Sequence, residues 1–392
     1  MIFPLDEIKR ELQEEIIPFW NALRDDELGG FYGNVDSALN IDKMAEKGCL
    51  LNSRILWFYS NAYDLLGDEI LLDNARHAYE FLITKCYDGE RGGVYWSVNA
   101  DGTPNDTQKH TYNQAFAIYA LSSYYGVSED KAALDKAFEL FEIVEKNCTD
   151  EGGYLEAFDI EWKPFVNDKL SENGVMASRT MNTLLHVMEA YTELYRVSGD
   201  SRVSRRLEWI LGEIADRVYC PERRRLEVFF DLSMNSLIDL HSYGHDIEAA
   251  WLVDRACDVL DNAEVTQKMR PITAVLEDEI ISAAYENESL NNECCCGEVD
   301  KWRVWWVQCE AIIGFFNAWQ KRPDRDDFLG AAQSIWNFTK KYISDDRDGG
   351  EWHYQVDVSG TPDMGKDVAG EWKCPYHNGR MCIEIMRRGG LR

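Results

Sequence analysis

Histidine is scarce in this sequence, seven among 392 residues, so the places where it falls carry information. In HSYGHDIEAAW, His245 and Glu248 are three apart, which puts them on one face of a helix. A carboxylate there can hold the imidazole in place and favour its protonated form. His241 and His245 also have the i, i+4 spacing of a metal pair. No third ligand is evident locally, and Gly244 between them predicts a helix beginning at Asp246, so acid/base use is the stronger reading. In SRTMNTLLH, Asn182 and His186 share a face and suit either the hydroxyls of a ligand or a contact within the helix. Arg54, at the head of ILWFYSNAYDLL, either pairs with a buried acid or points into a cavity to hold an oxyanion. RVWWVQCEA supplies Trp305, Trp306 and Glu310, and GEWKCPYHNGR supplies Trp372 and His377. Indoles pack on the C–H faces of sugar rings, and thirteen Trp are more than a core alone needs. The chain has no G-x-G-x-x-G after a strand, no P-loop and no G-x-S-x-G elbow. What remains is acid/base chemistry, without metal or cofactor, on a neutral polyhydroxylated substrate.

Elements that could position these residues recur about sixty residues apart. Gly-Gly-aromatic strings place their second glycines at Gly30, Gly93, Gly153 and Gly350, and the long last gap leaves room for two units without the glycines. Their equivalents are RLEVFFDLSMN near Leu226 and ESLNNE near Leu290. A fixed period of this size marks a supersecondary unit that cannot bury its own apolar face. Each unit reads as a short hairpin followed by two amphipathic helices. Five pairs are complete: 52–66 with 71–85, 110–125 with 131–146, 175–195 with 201–218, 246–260 with 266–285, and 303–319 with 326–342. The leftover helices, 8–23 and 378–388, pair only if the chain closes on itself. Both are apolar, unlike the polar caps of an open array. The expected fold is therefore all-α: an (α/α)6 barrel of twelve helices with short β-hairpins in the connecting loops, residues 1–392 forming a single catalytic domain.

A net charge of −29 opposes binding to nucleic acid or anionic membranes, both of which demand clustered Lys and Arg. MIFPLDEIKRELQEE contains no apolar signal region, and no apolar run approaches a membrane span, so a cytoplasmic monomer is expected. Eleven cysteines, an odd number without regular spacing, read as reduced thiols. Adjacent Cys294, Cys295 and Cys296 could bind a soft metal, but no C-x-x-C pair or neighbouring histidine completes a site, and an exposed loop variation is preferred.

The sequence resembles the N-acylglucosamine 2-epimerase superfamily, most closely its cellobiose 2-epimerase branch. The likeness runs through SRILWFYSNAY, KHTYNQAFAIYALSSYY, LSENG, MNTLLHVMEAYTELY, HSYGHDIEAAWL, DKWRVWWVQCEA and WKCPYHNGRMC. It implies an (α/α)6 barrel and reversible C2 epimerisation of the reducing-end glucose of β-1,4-linked disaccharides, without cofactor. By the same match His245 and His377 would be the two acid/base groups, Glu248 the partner of one, and Arg54 the group near the carbonyl oxygen. Tyr112, Asn182, His186, Trp305, Trp306, Glu310 and Trp372 would bind the sugar. An aldose–ketose isomerase or N-acylglucosamine epimerase, a glycoside hydrolase on Glu248 and Glu310, and a non-catalytic sugar-binding protein stay open as alternatives.

Overall fold

The computed structural model describes residues 3–170 and 173–390; Ser171 and Glu172 of the LSENG string lie outside the described residues. Among these, twelve helices are arranged in two concentric rings. The outer ring holds α1 (5–22), α3 (69–86), α5 (Lys131–Asn147), α7 (201–218), α9 (Ala263–Ala283) and α11 (326–343). The inner ring holds α2 (Cys49–Leu66), α4 (Thr111–Ser128), α6 (Met181–Ser198), α8 (Tyr243–Leu260), α10 (Trp305–Lys321) and α12 (His377–Arg388). Each inner helix packs on the next, and α12 packs back on α2, which closes the barrel. At that seam Trp57 and Tyr376 meet at 5.4 Å, and a Cβ on Gly379 would lie 2.5 Å from the Phe58 ring, so only glycine lets the two helices approach.

Sequence composition sorts the rings. In α4 every residue from Thr111 to Tyr124 is buried, as a helix surrounded by protein requires. In α5 only a stripe is buried, Ala133, Ala137, Leu140, Phe141 and Val144, at helical spacing. Inner helices end on a left-handed residue, Gly67, Glu129, Gly199 or Asp261. The next residue, Asp68, Asp130, Asp200 or Asn262, caps the following outer helix by accepting a backbone N–H from its first turn. One two-residue turn thus serves four units.

The hairpins stitch the mouth together. Residues just before an inner helix pair antiparallel with the hairpin of the next unit: 47–48 with 97–98, 109–110 with 157–158, 179–180 with 229–230, 240–242 with 293–295, and 303–304 with 355–356. A bridge between Val35 and Ala369 joins the last unit to the first. The two units without glycines are equivalent to the others by their hydrogen bonds. Leu226 N–H donates to Asp246 and Leu290 N–H to Gln308, as Phe31 N–H donates to Asn52 and Val94 N–H to Gln114.

Several helix starts lie a few residues from the sequence reading, two of them for a reason visible in the packing. The third inner helix begins at Met181 rather than residue 175, because 179–180 are held in the ladder with 229–230. The fourth begins at Tyr243 rather than Asp246, so Gly244 lies inside its first turn. A Cβ there would stand 2.5 Å from the Trp306 ring, so this glycine serves close approach rather than a turn. Among the described residues no helix is long and apolar enough to cross a membrane.

Candidate active site

All six inner helices start at the hairpin end of the barrel, and their N-terminal dipoles converge there, favouring negative charge in the space between them. A cavity of about 180 Å³ fills that space. Arg54 enters it from α2, Tyr112 from α4, Asn182 and His186 from α6, His245 and Glu248 from α8, Trp305 and Trp306 from α10, and His377 from α12. Trp372 comes from the loop before α12. Lys169, Leu170 and Tyr354, which the sequence reading did not single out, complete the lining. A second cavity, of about 440 Å³, shares Tyr354 and Trp372 with the first and extends past Asn34, Glu46 and Glu371.

His245 and His377 lean on the same indole: their ring centroids stand 4.8 and 5.6 Å from that of Trp306. Each spends Nδ1 on the protein. His245 Nδ1 meets Ser242 Oγ at 2.7 Å, and His377 Nδ1 meets Glu310 Oε1 at 2.7 Å. Nε2 of each ring is left for chemistry in the cavity. Burial pushes His245 down to about 4 and holds His377 well below the usual imidazole range, although the charge of Glu248 pulls the latter back up. Both rings are therefore uncharged at neutral pH.

Two expected roles are corrected here. Glu248 does not hold His245, whose partner is Ser242; its Oε1 is bound by Arg380, and its Oε2 is buried with no hydrogen bond. Glu310 does not line the cavity. It stands behind His377, wholly buried, accepting from His377, from Arg380 at 2.7 Å and from Trp251 Nε1 at 3.0 Å. His241 also turns away from the cavity, its Nε2 on Asp246 at 3.0 Å, so of the four histidines singled out in the sequence, His186, His245 and His377 line the cavity.

Arg380 was missed, although it organises the floor. Its guanidinium binds Glu189 on α6, Glu248 on α8, Glu310 on α10 and the Tyr376 hydroxyl. Glu189 in turn meets His186 Nδ1 at 2.9 Å. The signal was in the sequence. His186 with Glu189, His245 with Glu248 and His377 with Arg380 repeat one three-residue step on three inner helices.

Arg54 is buried without an ion pair among the described residues. It donates to the Tyr112 hydroxyl at 2.7 Å and lies over the rings of Phe116 and Tyr376, 4.2 and 4.7 Å from their centroids. Its charge is unspent, which suits a site that must meet a developing anion. Glu248, Glu310 and His377 offer ligand atoms within 4.8 Å of one another, the one cluster of this kind among the described residues. Arg380 already binds both of these carboxylates, so a resident metal ion does not fit there.

The model of the N-acylglucosamine 2-epimerase (GlcNAc 2-epimerase) family matches residues 30–379. The chain is 54% identical to the cellobiose 2-epimerase of Ruminococcus albus over 98% of its own length and 99% of the relative's. Among solved structures, a sugar epimerase from a ruminal bacterium superposes with a TM-score of 0.97 at 54% identity, covering 98% of this chain and 99% of the other. Cellobiose 2-epimerase from Bacillus thermoamylovorans B4167 superposes with a TM-score of 0.94 at 42% identity, covering 98% of this chain and 99% of the other.

Proposed function

Since this chain belongs to the N-acylglucosamine 2-epimerase family, we propose that it epimerises C2 of the reducing-end glucose in β-1,4-linked disaccharides, turning cellobiose into 4-O-β-glucosyl-mannose. Lactose and short cello-oligosaccharides are further substrates. The observation that carries this reading is the placement of His245 and His377 against one indole in one cavity, each with Nδ1 engaged and Nε2 available.

Inverting C2 without redox chemistry requires an open-chain aldose. One base removes the C2 proton next to the aldehyde, and an acid returns a proton to the opposite face. His245 and His377 take these two parts, exchanging them in the reverse direction. The enediolate between the steps places its charge near Arg54, whose guanidinium has no carboxylate to neutralise it. Three buried carboxylates, Glu189, Glu248 and Glu310, share the one guanidinium of Arg380, so the cluster is short of positive charge and favours an added proton. Burial raises Glu248 and lowers both catalytic histidines, which lets that proton pass between carboxylate and imidazole. The 180 Å³ cavity suits the reacting hexose, and the adjoining 440 Å³ space beyond Trp372 suits the second.

A hydrolase needs two carboxylates facing each other across a glycosidic bond. Here Glu310 is screened by His377, and both candidate acids are held by one guanidinium. Incubation with cellobiose in D2O tests the proposal. The mannose-ended epimer should appear with deuterium at C2. An epimer without deuterium, a ketose as main product, or free glucose would each overturn it. His245→Ala and His377→Ala should each lose about 10²- to 10⁴-fold in turnover with the fold retained.

A further inference from the structure

Glu293–Cys295 and Glu298–Asp300 form an antiparallel hairpin. Cys296 and Gly297 are its two-residue turn, with φ of 52° and 86°. Such turns take both central residues at positive φ and favour Asn-Gly. Here a thiol occupies the asparagine position. The tip is braced: Cys296 N–H donates to Asp239 O at 2.7 Å, and 293–295 pair with Leu240–Ser242 in the strand before α8. The sulfurs of Cys295 and Cys296 face each other at 3.9 Å on the outside of the molecule, Cys295 half-buried and Cys296 exposed. Cys294 lies on the other face of the strand.

This pair is poorly placed to oxidise onto itself. Neighbouring Cα atoms are about 3.8 Å apart, short of the roughly 4.4–6.8 Å that disulfides prefer. A bridging atom fits much better. Two sulfurs each about 2.3 Å from one pyramidal centre, at roughly 100°, stand about 3.5 Å apart, a small side-chain rotation from the 3.9 Å found here. Burial and the adjacent Cys296 thiol both push the Cys295 thiol up, a repulsion that a shared electrophile removes.

We infer that Cys295 and Cys296 form a bidentate capture site for thiophilic electrophiles with two displaceable ligands, of which trivalent organoarsenicals, R–As(OH)2, are the type. Each sulfur forms one bond to arsenic as one As–O bond breaks. Each departing oxygen leaves as water with the thiol proton, and no electrons are transferred. The second bond is intramolecular, so the chelate gains about 10²- to 10⁴-fold over a single thiol.

Phenylarsine oxide is the probe, and intact-mass spectrometry of the whole chain is the readout. One arsenical per chain should bind, resist excess monothiol and leave with 2,3-dimercaptopropanol. Cys295→Ser and Cys296→Ser should each weaken binding about 100-fold, with Cys294→Ser and Cys220→Ser unchanged and all four unfolding at the wild-type temperature. Equal affinity in the Cys295→Ser variant, or an adduct that persists in the Cys295→Ser/Cys296→Ser double variant, would overturn the assignment.

Discussion

Nδ1 of His377 stands 2.7 Å from Oε1 of Glu310, and that carboxylate is locked from three sides, by the imidazole, by Arg380 and by Trp251. A carboxylate so held cannot turn away, so it fixes the ring orientation and reserves Nε2 for the cavity. Glu310→Gln preserves the shape but replaces an obligate acceptor with a group that can also donate. Turnover should fall about 10²-fold or more while KM changes little, because the proton-transfer geometry suffers rather than the sugar contacts. A loss confined to KM, measured on cellobiose, would refute this positioning role.

Gly244→Ala tests the packing beneath both histidines. Alanine is the better helix former by about 1 kcal/mol. Its Cβ, however, would lie 2.5 Å from the Trp306 ring and 2.9 Å from Val307, so the indole must move. Overpacking of this kind costs about 1–3 kcal/mol. Since His245 and His377 both rest on that indole, turnover should drop together with the denaturation midpoint. An alanine variant with wild-type turnover would show that Trp306 is not what aligns them.

How much of this was legible in the sequence depends on whether a contact lies along one helix or across the ring. The period, the twelve helices and three of the four histidines expected at one barrel end were open to reading, because glycine turns and i, i+3 spacing are local. The partner of Glu248 was not. Helical spacing placed it beside His245, but ring closure brought Arg380 from α12, 132 residues away, to its Oε1. Glu310 was read as a sugar ligand for the same reason: its place behind His377 depends on how α10 and α12 lie side by side. Gly244 misled in another way, since a glycine required by a neighbouring indole looks in sequence like one required by a turn.

His110 offers a clean test of pH linkage. Its ring is buried against Trp96, and burial pushes it down to about 4, while an unfolded histidine titrates near 6.5. Between those values the unfolded chain binds more protons, so this contribution to stability is whole above pH 6.5 and is lost as the pH falls toward 4. Glu156, pushed up to about 7 by burial, works in the opposite direction, so the comparison must be made against a variant. The stability of wild type relative to His110→Gln should shrink by about 2 kcal/mol from pH 7 to pH 5. Denaturant titrations at the two pH values check it, and a pH-independent difference would mean that the ring titrates alike in the folded and unfolded chain.

Arg380 should prove the most costly of these residues to remove. Its guanidinium is fully buried, and it is the cation that Glu189, Glu248 and Glu310 share. In Arg380→Met the three carboxylates lose that partner in a low-dielectric interior, and breaking a buried pair from one side costs about 3–5 kcal/mol. Loss of the cation also moves the carboxylate pKa values upward, those of Glu248 and Glu310 beyond the rise that burial already causes and that of Glu189 away from the low value the cation helps to hold. A carboxylate raised in the fold contributes stability at low pH that is lost as the pH rises through its folded value. The methionine variant should therefore be weakest at pH 8 and recover part of its deficit near pH 5. Arg380→Lys returns the charge, but a single ammonium cannot reproduce the fork that spans three acids, so it should fall between the other two. Unfolding midpoints of the three proteins at both pH values decide the matter: if methionine matches wild type at pH 8, the three acids do not depend on one cation.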